Sequence, residues 1–485
     1  MGRALTVLNA LGLMLVVFSI SYVLPVLTSL IYRDDTLAVF LLAMLLTAGT
    51  GVLLWLLTRR YKGELSIRHG YLLVVAMWTA MPAVATFPLL LVINGLSFTD
   101  AYFETMSGIT TTGATVLTGL DNLPPAINLW RHELNWLGGM GIIVLAVAVL
   151  PLLGIGGRQL FKAETPGPMK DSALTPRITE TARNLWLVYA AITLACILSL
   201  KLAGMNWLDA ICHAFAAMGL GGFSTHDASV GYFNSPLIEF VLIVFMLLAA
   251  MNFATHFLAW RGKSLRVYVR DAEGVATVVL VLGSCLGIAL FLWWQGVYPA
   301  FWTALRHASF NLVSLATDCG FASVDFNQWP IFAPLWMLFL SCVSASSGST
   351  GGGIKMIRTL VLVKQAGREF VKLLHPAVIN PLKIGGQVVD NNIVFAVLGF
   401  IFLYFMSVMT LTFTLLISGL DFVSSFSAVI ACINNAGPGL GVVGPASNFG
   451  VLTDFQVWVC TLAMLIGRLE IFTLLILFTP AFWRR

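Results

Sequence analysis

Four windows of the 485-residue sequence align on one glycine. They are SGITTTGATV from Ser107, AAMGLGGFST from Ala216, SLATDCGFAS from Ser314 and ACINNAGPGL from Ala431. The aligned glycines are Gly113, Gly222, Gly320 and Gly437. Six residues before each stands a small residue, namely Ser107, Ala216, Ser314 or Ala431, and twelve before stands another, Ala101, Ala210, Ala308 or Ser425. A backbone carbonyl without a helical partner is a ready ligand for a hard cation. Glycine permits positive φ, so successive carbonyls can turn toward one axis. The candidate ligands are therefore the carbonyls of Thr111, Thr112 and Gly113, of Leu220, Gly221 and Gly222, of Asp318, Cys319 and Gly320, and of Asn435, Ala436 and Gly437. Four such strands around one axis form stacked oxygen rings that replace an ion's hydration shell. Any one of these glycines alone reads as ordinary helix packing; four in equivalent slots do not.

The elements that must position these loops are set by composition. Hydrophobic residues make up 59% of the chain and charged residues only 10%, against roughly 25% in soluble domains. That excludes a disordered chain, a coiled coil and a soluble enzyme with a normal surface. Lipid must solvate most of the surface, so the fold class is an all-α integral membrane protein. Ten apolar stretches are long enough to cross a bilayer, at about 20 residues each. They run near 5–31, 36–58, 70–95, 129–157, 183–204, 235–260, 273–296, 329–362, 389–418 and 453–482. Four shorter apolar segments begin near Thr99, Asn206, Pro299 and Asp421, each between two long spans and each leading into a glycine window.

Basic residues mark the cytoplasmic side. The connections at 59–68, 158–183, 261–270 and 364–383 are rich in Lys and Arg, whereas the opposite ones carry mostly Asp and Glu. Both termini then lie in the cytoplasm, and the short segments face the outer, acidic side. The repeating unit is span, short helix, glycine loop, span. It occurs four times in one orientation, unlike the inverted repeats of many secondary transporters. Four parallel M1–P–M2 repeats with pseudo-fourfold symmetry around a central pore are expected, at 66–165, 166–262, 263–375 and 376–485, after an N-terminal transmembrane two-helix hairpin at 1–65. The short helices would aim the negative ends of their dipoles at a cation.

The eighth span contains SASSGSTGGG at 344–353, which cannot hold a lipid-facing helix. It should unwind within the protein, below the third glycine loop, and narrow the water path. The string GSTGGGIK lacks the Gly-Lys-Ser/Thr ending and the preceding strand of a phosphate-binding loop. Arg468 lies inside the last span, where an arginine costs roughly 2.5–3.5 kcal/mol and must find acceptors. It is expected to bind carbonyls of the 344–353 loop. The acids within the spans, such as Glu239 and Glu470, show no obvious partner. The GGMG run at 138–141 reads as a close-packing helix face. The seven cysteines and seven histidines show no zinc-like spacing.

The motifs TTTGAT at 110–115, WLGGMGI at 136–142, GLGGFST at 219–225, ATDCGF at 316–321, SGSTGGGIK at 347–355, NNAGPGLG at 434–441 and IGRLEI at 466–471 resemble those of the Trk/Ktr/HKT superfamily of potassium transporters, and most of all its bacterial Trk type. The resemblance covers nearly the whole chain. It implies K+ uptake through a carbonyl-lined selectivity filter in the bacterial cytoplasmic (inner) membrane. It also implies a homodimer and a cytosolic regulatory ring of nucleotide-binding domains of the TrkA kind; no nucleic acid is involved. It assigns gating to the 344–353 loop, here Ser346, Gly348, Gly351, Gly352 and Gly353. Arg468, expected to hold that loop, is then a gate residue too, and Lys355 reads either as a gate element or as an inner-interface anchor. Only the central glycine of the potassium-channel TVGYG signature survives here. In related plant proteins a serine in place of the first filter glycine goes with sodium; Gly113 therefore favours potassium. Two other classes are carried as alternatives. Proton- or sodium-coupled potassium symport would place carboxylates within the spans, and an intramembrane enzyme would need a nucleophile with a base.

Overall fold

The computed structural model describes residues 2–61, 67–148 and 178–484. The chain opens with α1 (Gly2–Phe18), a short 3-10 turn, and α2 (Val23–Tyr32), and returns as α3 (Leu37–Thr58). α1 and α3 lie against each other with Gly12 and Gly51 at the contact. A methyl on Gly12 would stand 2.8 Å from the Gly51 carbonyl oxygen, the close approach that joins helices in lipid.

A first set of elements follows: α4 (Ile67–Ala85), α5 (Phe87–Val92), the short α6 (Phe98–Ile109) and α7 (Pro125–Ala148). The second is α8 (Ile178–Leu202), the short α9 (Trp207–Gly219), α10 (Pro236–Ala249) and α11 (Phe253–Gly262). After α12 (Arg266–Arg270), the third is α13 (Ala272–Trp294), the short α14 (Phe301–Ala316), α15 (Phe332–Val343) and α16 (Met356–Leu374). A two-stranded antiparallel hairpin, β1 (Lys383–Ile384) and β2 (Gln387–Val388), leads to the fourth. That set is α17 (Asn391–Ile417), the short α18 (Phe422–Ile433), α19 (Asp454–Arg468) and α20 (Phe472–Leu475), with α21 (Pro480–Trp483) at the end.

Among the described residues, six helices are long and apolar enough to cross a membrane: 5–32, 37–58, 68–92, 183–202, 272–294 and 391–417. Outward residues such as Leu45, Val279, Trp294, Phe402 and Phe413 are exposed, as lipid-facing positions are. The molecule is thus a multi-pass, predominantly helical membrane protein.

Two stretches expected as continuous spans are bent. The chain turns by 95° between α10 and α11, and by 108° between α19 and the turn beginning at Phe472. The first break has a local cause: Asn252 Oδ1 accepts the Ala254 amide at 2.9 Å and starts a new helix. At the second break Glu470 and Ile471 adopt positive φ of 53° and 47°. The stretch at 329–362 is interrupted outright, with no helix from Ser344 to Lys355. The basic stretch 158–183 lies almost wholly outside the described residues, as do the repeat boundaries drawn at 65/66 and 165/166.

Candidate functional site

Side-chain caps start three of the short helices. Ser97 Oγ accepts the Asp100 amide at 3.0 Å, Asn206 Oδ1 the Asp209 amide at 2.8 Å and Asp421 Oδ2 the Ser424 amide at 3.0 Å. All four end alike. The amides of Thr112, Gly221, Cys319 and Ala436 each donate at 2.8 Å to the carbonyls of Ser107, Ala216, Ser314 and Ala431. Those acceptors are the small residues six before each glycine, and they are fully buried. The residue before each donor is left-handed: Thr111 at φ 54°, Leu220 at 54°, Asp318 at 64° and Asn435 at 57°. This is the Schellman termination of a helix, here built without glycine at the left-handed position. The aligned glycines are left-handed again, with φ of 79°, 61°, 91° and 87°. Alternating hands along a loop turn successive carbonyls the same way.

The four loops touch in cyclic order. A methyl on Gly113 would be driven into the Gly221 carbonyl, and one on Gly222 into the Cys319 carbonyl. One on Gly320 would stand 2.6 Å from the Ala436 carbonyl oxygen, and one on Gly437 2.9 Å from that of Thr112. Each glycine thus lies against the carbonyl preceding the glycine of the next loop, and the fourth returns to the first. Above them a cavity is lined by all four glycines together with Arg131, His226, Asp227, Ser447 and Asn448.

Behind the first loop sits a buried ion pair. Arg131 Nη2 lies 2.7 Å from Glu104 Oε1. Glu104 also accepts from Thr115 Oγ1 and the Val116 amide, and Arg131 donates to the Ser224 carbonyl beside the second loop at 3.3 Å. On the cavity's rim, His226 Nδ1 bonds Asp121 and its ring stacks on Tyr232 at 3.5 Å. Burial works against the charge on His226, but hydrogen bonds to Asp209 and Asp121 outweigh it and raise its pKa.

Below the glycines runs the 344–355 loop. Ser346, Ser347, Ser349 and Thr350 are buried. Its backbone is stitched to the break after α10: the Ser346 amide donates to the Ala250 carbonyl at 3.0 Å, and the Phe253 amide to the Gly348 carbonyl at 3.2 Å. Gly348 and Gly353 have φ of 73° and 72°, and Lys355 closes the loop at 78°. Glu273 Oε1 accepts the Ser347 amide at 2.6 Å and the Ile357 amide at 3.2 Å, holding both limbs. The Gly352 amide donates to Asp318 Oδ2 at 3.0 Å, and Lys355 Nζ to the Gly351 carbonyl at 2.9 Å.

Arg468 ends α19, at the bend rather than inside a continuous span. It is buried; Nη1 donates to the Thr350 carbonyl at 3.0 Å and Nη2 to the Gly138 carbonyl at 2.8 Å. The Gly138–Gly139 face packs as a close-contact surface, with a methyl on Gly139 only 2.8 Å from Gly219 Cα.

Glu239 and Glu470 have no partner obvious from the order of residues. Both are paired, Glu239 with Arg306 at 2.7 Å and Glu470 with Arg358 at 2.9 Å. Their partners come from neighbouring helices, which no spacing along one helix reveals. The Glu104–Arg131 pair, the Glu273 clamp and the Asp318 side-chain contact were missed for the same reason. A signal existed for the first, since Glu104 falls between the two small positions of an otherwise buried short helix.

Fold and site together define a multi-pass membrane protein of the cation-transport class. The TrkH family, described as a cation transport protein, matches residues 36–485, and the chain belongs to it. It is 45% identical over 483 residues to the Trk system potassium uptake protein TrkH of Salmonella typhimurium, covering 99% of each chain. It is 40% identical over 476 residues to the Trk system potassium uptake protein TrkG of Escherichia coli, covering 98% of this chain and 97% of that one. Its fold superposes on the crystal structure of the potassium transporter TrkH from Vibrio parahaemolyticus with a TM-score of 0.91, at 43% identity and 99% coverage of each.

Proposed function

We propose that the chain carries K+ into the bacterial cell across the cytoplasmic membrane, through a filter made by its four glycine loops. The observation that carries this reading is the closed ring of contacts Gly113–Gly221, Gly222–Cys319, Gly320–Ala436 and Gly437–Thr112. A ring of this kind leaves carbonyls as the groups that can stand in for water around an alkali ion. The four sets of elements act as M1–P–M2 repeats about that axis. The acidic loops face outside, both termini face the cytoplasm, and the loop at 344–355 closes the path on the inner side. Arg468 holds that loop through Thr350, and its charge opposes cation passage. The naming of the relatives as parts of a Trk system supports a cytosolic partner, a nucleotide-binding ring of the TrkA kind, acting on a homodimer.

The test is flux of K+ and Na+ into liposomes holding the purified chain. K+ flux exceeding Na+ flux, and lost when Gly113 is replaced, is expected; equal leakage of both, unaffected by Gly113, contradicts the reading.

Ion-coupled symport is kept as a second reading because Asp318, a carboxylate, is fully buried in the third loop. A reversal potential that follows the K+ gradient at every pH favours the pore. One that moves with the pH gradient favours coupling.

A further inference from the structure

The residue two before each aligned glycine has its backbone left-handed, and the four side chains at this position differ: Thr111, Leu220, Asp318 and Asn435. Asp318 alone of the four is a carboxylic acid. Asn435 is tied within the ring, Nδ2 donating to Thr112 Oγ1 at 2.9 Å and to the Met464 carbonyl at 3.1 Å. Asp318 instead reaches down to the loop at 344–355. Its Oδ2 accepts the Gly352 amide, while its Oδ1 is buried with no hydrogen-bond partner.

The contact depends on the absence of side chains. A methyl on Gly351 would stand 2.7 Å from Ala345 Cβ within the loop, 3.2 Å from the Thr317 carbonyl oxygen and 3.3 Å from Asp318 Oδ2. A methyl on Gly352 would be driven into the Asn434 carbonyl. The lower loop therefore threads directly against the third and fourth glycine loops. Arg468 holds the same loop two residues earlier, at Thr350. Asp318 and Arg468 thus grip one short backbone segment, the first from the glycine ring and the second from the bend after α19.

A buried carboxylate that loses a partner is costly, because nothing replaces the lost hydrogen bond. If the lower loop moves away, Oδ2 is left as bare as Oδ1 already is. The carboxylate must then turn toward another donor or admit water, and either motion displaces the left-handed residue that aims the third loop's carbonyls.

We propose that Asp318 is a positioning residue that couples the 344–355 loop to the third glycine loop, so that discrimination between K+ and Na+ changes together with the position of the gate. This rests on the filter-and-gate reading above.

The test is single-channel recording of the full chain in planar bilayers, comparing wild type, Asp318→Asn and Asp318→Glu. Asn keeps the shape and an acceptor oxygen but is no longer an acid; Glu keeps the carboxyl group and misplaces it by one methylene. Weakening the hydrogen bond from the Gly352 amide should raise the open-to-closed ratio by about tenfold in Asp318→Asn. The K+-to-Na+ permeability ratio should fall in the same recordings. Asp318→Glu, should Asp318→Asn fail to yield monodisperse protein, is expected to shift both quantities in the same directions. A change in one quantity without the other, or in neither, overturns the coupling. A merely structural role would lower protein yield without moving the permeability ratio of the channels that remain, and that outcome overturns it as well. A wild-type chain that passes no K+ overturns the filter reading itself, and the coupling with it.

Discussion

Gly437 and Thr112, far apart in sequence, close a ring: a methyl group on Gly437 would stand 2.9 Å from the Thr112 carbonyl oxygen. The other three contacts run from each loop to the next. They are not equally tight, and this grades the cost of substitution. Alanine at any of the four must push a neighbouring loop's carbonyl aside, but the displacement needed is largest at Gly113 and Gly222 and smallest at Gly437. All four also impose a left-handed conformation on a residue with a Cβ, at about 1–2 kcal/mol. Rb+ uptake by cells expressing each variant should fall most for Gly113→Ala and Gly222→Ala, less for Gly320→Ala and least for Gly437→Ala. Equal loss at all four would contradict the graded ring.

Arg131 and Glu104 brace the first loop from behind while buried on all sides. Removing one partner leaves a charge without compensation, at a cost of about 3–5 kcal/mol. Thermal unfolding in detergent should show Arg131→Met and Glu104→Gln each strongly destabilised. The double variant should recover part of the loss, since no lone charge remains. Additive losses would mean that the pair is not a unit.

Arg468 reaches both Thr350 and Gly138, and both bonds are charge-assisted. Each such bond contributes about 1.5–3 kcal/mol. Arg468→Ala should therefore open the path by more than tenfold, read as K+ efflux from preloaded liposomes. Arg468→Lys, a point charge without the planar fork, should fall between the two. Efflux unchanged in both variants would remove Arg468 from the gate.

The rim cluster sets a pH window. His226 has its pKa raised, because its hydrogen bonds to Asp209 and Asp121 outweigh burial, so its contribution is present at lower pH and lost as pH rises through the raised value. Asp121 is lowered, the bond from His226 outweighing burial, so its contribution is lost as pH falls through the depressed value. The clasp should hold between those limits. The Asp227 amide, which donates to Asp121 Oδ2 at 3.2 Å, reports on it. Its hydrogen-exchange protection, corrected for intrinsic rate, should drop on the alkaline side. His226→Phe, which retains an aromatic ring for Tyr232, should abolish that dependence.

Much of this was legible in the residues alone. Apolar runs and turn-forming breaks depend on local composition, so the long helices, the short ones and the unwinding at 344–353 could be read directly. The bends after Ala249 and Arg468 could not, because each broken pair is still apolar enough, taken together, to pass for one span. Asn252, a cap residue within such a run, was the one local sign of the first. Contacts across the sequence were hidden for a different reason. Asp318 reads as one loop residue among four, and only the fold brings the Gly352 amide beneath it. Glu273 likewise sits at the start of α13, where an acid reads as a helix-dipole partner, yet it clamps the loop at Ser347 and Ile357.

The claim on which all else rests is that an alkali ion sits inside the ring. Crystals of the chain soaked with Rb+ or Tl+ and measured at an absorption edge test it most directly. The account expects anomalous density on the axis, enclosed by the carbonyls of Thr112, Gly221, Cys319 and Ala436. Density only elsewhere, or none in crystals that bind the ion at other sites, would contradict it.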